Sequence, residues 1–164
     1  MEVQVSGRRY VAVVGPSSAA DEEYEVAERL GGALAERGHV VVCGGGGGVM
    51  AAVSRGAEEH GGIVVGLLPG DDRHEGNRHL TVAIPTGLGE LRNALVVRAA
   101  DAVVAVGGSW GTLTEVAFAV RSGVPVVAIG GWRVTDGNHE VAGVLPARDL
   151  AEALATLDDL LASG

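Results

Sequence analysis

The chain has 164 residues, a formal net charge of −9, 27 glycines, 47% hydrophobic and only 3% aromatic content. That length suffices for one domain, residues 1–164, with a proper core, and the charge argues against nucleic-acid and anionic-membrane partners. All twelve basic residues are arginine, so neither a Schiff-base lysine of pyridoxal chemistry nor the lysine of a Walker A loop is available.

Met1 to Arg9 shows no apolar signal core, and no uninterrupted apolar stretch approaches the length of a membrane span. Tyr10 to Gly15 reads as a first strand, opening onto Pro16-Ser17-Ser18. One glycine there, where a dinucleotide fingerprint wants three, speaks against a standard NAD or FAD site. Gly15, Ser17 and Ser18 are ligand candidates, and for the serines a turn or capping role competes equally. Asp21 to Arg37 reads as a helix stopped by Gly38, with Tyr24, Ala27, Gly31 and Leu34 on one face. Gly31-Gly32 inside it would cost about 1 kcal/mol per residue relative to alanine, which implies close approach to the sheet.

His39 to Cys43 is a second buried strand, and the single cysteine fits a reducing cytoplasm. Five glycines follow, Gly44 to Gly48, then a helix from Val49 to about His60. Such a run lets the backbone pass almost flush against a ligand. Ile63 to Leu68 is a third strand. The charged loop Asp71 to His79 contains two histidines but no established metal-ligand spacing, so no metal is expected. Thr81 to Ile84 is a short strand, and Pro85 to Gly89 turns into a helix from Glu90 to about Ala99. Leu88, Leu91, Leu95 and Ala99 form its apolar stripe, with Arg92 at the edge. Arg92 either pairs with Glu90 or Asp101, or forks onto a phosphate or substrate oxygen.

Ala102 to Val106 is a β-branched run feeding Gly107-Gly108-Ser109-Trp110-Gly111-Thr112-Leu113-Thr114-Glu115, which continues as an apolar helix to Ser122-Gly123. Glycines at a strand-to-helix turn leave amides uncovered, and the helix start adds a positive dipole end, together favouring a phosphate. Gly107, Gly108, Ser109, Gly111 and Thr112 are the candidates. A plain alternative makes Thr112 the helix cap and Glu115 the far member of a capping box. It leaves the glycines unexplained. Val124 to Ile129 is a further strand, Gly130 to Val144 carries turn signals without an assignable element, and Arg148 to Ala162 is a closing amphipathic helix. The alternation implies a three-layer, Rossmann-like, doubly wound and mostly parallel sheet, with every glycine-bearing turn on its carboxyl edge.

Gly44 to Met50, Ala57 to Gly62, Gly66-Leu67-Leu68-Pro69 and Gly107 to Glu115 resemble the LOG-type Rossmann proteins, long labelled "possible lysine decarboxylases". The absence of lysine forbids what that label implies. The resemblance implies a phosphoribohydrolase that cuts the N-glycosidic bond of a nucleoside 5′-monophosphate and needs no cofactor. Glu115 and Arg92 match the family's catalytic pair, and Gly45, Gly46, Gly47, Gly48 and Met50 its ligand-binding turn. Val106 stands where the family motif has proline, and Asn93 where it has lysine. These departures, with Thr86-Gly87-Leu88-Gly89, make the chain similar to a short branch that includes molybdenum cofactor carrier proteins. Membership there implies a bound pterin, the molybdenum cofactor, and no cleavage. A nucleotide-sensing role is a third reading. The resemblance also implies a homo-oligomer, a dimer or a tetramer.

Overall fold

The computed structural model describes residues 7–164, so the reading of Met1 to Ser6 lies outside it. Five strands form where β-branched runs predict them. They are β1 (Tyr10–Val14), β2 (Val40–Cys43), β3 (Ile63–Leu68), β5 (Ala102–Val106) and β6 (Val126–Ile129). With β4 (Val82–Pro85) and β9 (Val144–Ala147) they make a seven-stranded sheet, parallel throughout, in the order β4-β3-β2-β1-β5-β6-β9. Runs such as Val40-Val41-Val42-Cys43 are buried on both sides, as strands of a parallel sheet covered by helices must be.

Helices α1 (Asp21–Glu36), α2 (Val49–Glu59) and α5 (Leu150–Ala162) pack on one face around Val11, Val13, Leu30, Leu34, Val53 and Leu157. Helices α3 (Arg92–Arg98) and α4 (Trp110–Arg121) cover the other, over Ala12, Val14, Val103 and Val126. The result is the expected three-layer, doubly wound architecture. Direction reverses between β1 and β5, which are paired from Val11↔Ala102 to Val14↔Ala105. The turns leaving these two strands therefore face one another at the carboxyl edge, where ligands bind in open α/β sheets.

Several details differ from the sequence reading. Gly31 serves a helix–helix contact, not a helix–sheet one. A Cβ there would overlap the Val53 carbonyl oxygen and come within 2.9 Å of the Ala57 nitrogen, both on α2. Gly56 repeats this from the other side against the Glu28 carbonyl of α1. The segment before α3 begins as a 3-10 turn, Gly89–Leu91, which shifts the phase of the helix that follows. Val96 and Val97 consequently take the core positions, while Leu88, Leu91 (76% exposed) and Leu95 face outward. The segment after β6 resolves into a small antiparallel ribbon, β7 (Thr135–Asp136) and β8 (His139–Glu140), before β9 joins the sheet edge.

Among the described residues, no helix is long and apolar enough to cross a membrane. His74 and His79 pair separately, with Asp72 and Glu58.

Candidate functional site

A cavity of about 330 Å³ opens over the β1–β5 switch point, within the size range of small-molecule sites. Gly15 and Ser17 reach it from the β1 turn, and Gly44 and Met50 from the turn and helix after β2. Arg92 and Asn93 come from α3, and Ser109, Gly111, Thr112 and Glu115 from α4. Eight of the residues expected at a site thus meet here: Gly15, Ser17, Met50, Arg92, Ser109, Gly111, Thr112 and Glu115.

Ser18, Gly45, Gly46, Gly47, Gly48, Gly107 and Gly108 do not line the cavity. The glycine run starts in a packed corner, with Gly44 and Gly45 buried and Gly47 exposed. Its Gly44 lies against the Arg92 guanidinium and Met50 Sδ, leaving no room for a Cβ. Gly45 and Gly48 adopt positive φ (74° and 59°), and Gly48 lies against the Pro16 and Ser17 backbone. Gly107, also at positive φ (68°), is buried beside Glu23 and donates its amide to the Ile129 carbonyl (3.0 Å). These glycines shape the turns that carry the wall.

The start of α4 differs from the capping-box reading. Ser109 is the cap, its Oγ accepting from the Thr112 amide at 3.2 Å, and Thr112 is buried with its Oγ1 2.9 Å from Ser109 Oγ. The Trp110 and Gly111 amides, in the first turn, have no acceptor within the helix. They are the donors left for an anion. Glu115 is thereby free of any capping duty. It is half-buried, and burial raises its carboxyl from 4.5 to about 7, an effect that the Arg92 charge opposes.

Arg92 is the second unusual group. Its Nη1 donates to the Leu67 carbonyl at 2.9 Å, which fixes the guanidinium under the cavity. Among the described residues, its Nε is buried without a hydrogen-bond partner. Burial lowers its pKa, partly offset by Glu115 and Cys43. It forms no ion pair with Glu90 or Asp101 among the described residues. A buried guanidinium N–H with no acceptor is costly, whereas the rest of the Arg92 side chain lines the cavity, where a ligand oxygen can meet its charge.

One contributor escaped the sequence reading. Asn77, in the charged loop after β3, donates its amide to the Gly45 carbonyl (2.8 Å). Its Nδ2 donates to the Gly46 carbonyl (3.0 Å) and Ser54 Oγ (3.3 Å). It clips the loop onto the glycine corner across thirty-one positions of chain, and no local pattern reveals such a bond. Asn77→Ala keeps the main-chain bond to Gly45 but removes the side-chain bonds to Gly46, Ser54 and the His79 amide, and should cost about 1–2 kcal/mol in urea unfolding. An unchanged midpoint would show that the corner holds itself.

The model of the SLOG cluster4 family matches residues 8–158. The chain belongs to the SLOG cluster4 family. An uncharacterized protein of Archaeoglobus fulgidus is 38% identical over 136 residues, covering 79% of this chain and 89% of that one. The molybdenum cofactor carrier protein of Chlamydomonas reinhardtii superposes with a TM-score of 0.86 at 32% identity, covering 96% of this chain and 99% of its own. The molybdenum cofactor binding protein of Rippkaea orientalis gives 0.85 at 29%, covering 94% and 98%. The SLOG assignment agrees with the resemblance to the LOG-type superfamily and its short carrier branch.

Proposed function

We propose that this protein binds a phosphorylated pterin of the molybdenum-cofactor class and holds it without cleaving it. The observation that carries the reading is the Arg92 side chain, tied to Leu67 in the wall of a cavity that Gly111, with its free amide at the start of α4, also lines. A phosphoryl group on the Trp110 and Gly111 amides would leave the polar remainder of the ligand over Arg92 and Glu115. Likeness to two molybdenum cofactor proteins along nearly the whole chain supports a pterin as that remainder.

Departures from the hydrolase motif point the same way. Asn93 stands on the cavity wall where the hydrolases carry lysine, so one cation of their pair is missing. Arg92 spends one nitrogen on Leu67 and is held as a fixed donor. One observation favours hydrolysis instead: a carboxyl near 7 is poised to take or give a proton at neutral pH. On that reading Glu115 would stabilise charge developing at the anomeric carbon, as carboxylates do in glycoside cleavage.

Equilibrium dialysis against molybdenum cofactor tests the proposal, with stoichiometric retention expected. Incubation with AMP, CMP, GMP and cytokinin monophosphates should release no ribose 5-phosphate. Release that Glu115→Ala abolishes would replace the carrier reading by the hydrolase one. Arg92→Met keeps the side-chain length but removes the charge and the unpaired donor. It should change stability by less than about 1 kcal/mol, because loss of the Leu67 hydrogen bond is offset by removal of the unpaired Nε, and weaken binding about 30-fold by calorimetry, from about 2 kcal/mol for a charged hydrogen bond. Undiminished affinity would remove Arg92 from the site.

A further inference from the structure

The chain has two tryptophans, and the fold brings both to one place. Trp110 opens α4 between Ser109 and Gly111, each of which lines the cavity. Trp132 lies in the turn after β6, which leaves the sheet at the same carboxyl edge. A Cβ on Gly108 would stand 3.1 Å from both the Trp132 nitrogen and its Cδ1. The β6 turn therefore rests directly on the β5 turn, with little space left for a side chain at 108.

The two ring centroids lie 4.5 Å apart with the planes at 77°, an edge-to-face pair. This geometry occupies one face of one ring and leaves flat aromatic surface for a third. Trp110 is 76% exposed and Trp132 46%, whereas Tyr10, Tyr24 and Phe118 pack against the core. Folding gains little from the pair. Helix α4 is already capped by Ser109, and neither indole belongs to a core cluster. In a chain with 3% aromatics, two exposed indoles at the edge of the cavity that Ser109 and Gly111 line have the makings of a stacking platform.

We infer that the Trp110–Trp132 pair is the platform that holds the flat heteroaromatic ring of the ligand, so that the site selects ring-bearing phosphates over ring-less ones. The inference rests on the reading above that the phosphoryl group lies in the cavity. Charge and amides fix that group, and the indole faces select what is attached to it.

Because no tryptophan lies elsewhere, emission excited selectively at tryptophan reports on the platform alone. The protein is titrated with neopterin monophosphate, GMP and ribose 5-phosphate, following emission and calorimetric affinity together. A ring-bearing ligand should quench emission and bind more tightly than ribose 5-phosphate. Trp110→Ala and Trp132→Ala should each lose about tenfold of that affinity and less than about twofold for ribose 5-phosphate. Trp110→Phe, which keeps a ring, should recover most of the loss, and its thermal midpoint checks that folding is intact. Ring-bearing ligands that bind without quenching, or equal losses for all three ligands, would overturn the platform while leaving the cavity reading in place. Failure of all three ligands to bind would overturn the cavity reading itself.

Discussion

Replacing Gly56 by alanine should lower the thermal midpoint by about 4–8 °C, although alanine is the better helix former by about 1 kcal/mol. The added methyl would overlap the Glu28 carbonyl oxygen and reach 3.1 Å from the Gly32 nitrogen. Both obstacles are backbone of α1, so no side chain can rotate away and the helices must separate. Overpacking of this kind costs about 3 kcal/mol, which outweighs the gain in propensity. Each kcal/mol moves the midpoint of a chain this size by about 2–4 °C. Gly31→Ala meets the Val53 carbonyl in the same seam. The double variant should therefore cost less than the sum of the two, since the first substitution has already opened the gap. A midpoint at or above that of the unaltered protein would mean that the α1–α2 contact is looser than described. Differential scanning calorimetry reads all three.

Glu115→Gln should stabilise the protein at pH 8 and flatten its pH dependence. Burial holds the folded carboxyl at about 7 against an ordinary 4.5. Below 4.5 both folded and unfolded chains carry the proton, and the shift has no effect. Between 4.5 and 7 the unfolded chain releases a proton that the folded chain keeps, so stability declines as pH rises. Above 7 the decline is complete, about 2 kcal/mol after allowance for partial solvent screening. Urea unfolding at pH 5 and pH 8 should show that fall in the unaltered protein and not in the glutamine variant. Binding should follow the same group. Ionised Glu115 repels an anionic ligand, so affinity should drop between pH 6 and pH 8 more steeply for the unaltered protein than for Glu115→Gln. The second ionisation of the ligand's own phosphate, near 6, affects both proteins equally and cancels in the comparison. Parallel profiles would show that Glu115 does not face the ligand.

Much of the scaffold was legible because its strands are made of residues suited to nothing else. Val40 to Cys43 and Ala102 to Val106 are short, uncharged and β-branched, and each ends at glycine. The strand-to-helix turns alone put Gly15, Gly44 and Gly111 on one edge. What stayed hidden depended on partners distant in the chain. Gly31 and Gly32 announced a close approach, but only the packed helices show that α2 is the neighbour. Leu88, Leu91 and Leu95 kept helical spacing, yet the 3-10 turn rotated them outward and gave Val96 and Val97 the core. Strand β9 escaped because Val144-Leu145-Pro146-Ala147 contains a proline, which a sheet accepts at its edge, where β9 lies. At the site itself, Arg92 and Glu115 stood out by residue type. The cap at Ser109 did not, because serine and threonine three positions apart serve equally well as helix starts on paper.

The order of strands splits the sheet into two blocks. The first four strands and the last three meet only along β1 and β5, over the register from Val11 to Val14. The cavity sits at the top of that join, with Gly15 and Ser17 on one side and Gly111 and Thr112 on the other. A molecule lodged there clasps the two halves of the polypeptide together, and pulling them apart first requires letting go of it. Thermodynamic linkage then ties durability to occupancy. On the proposed reading the empty protein is the perishable form, so loading would set how long each copy survives cellular proteolysis.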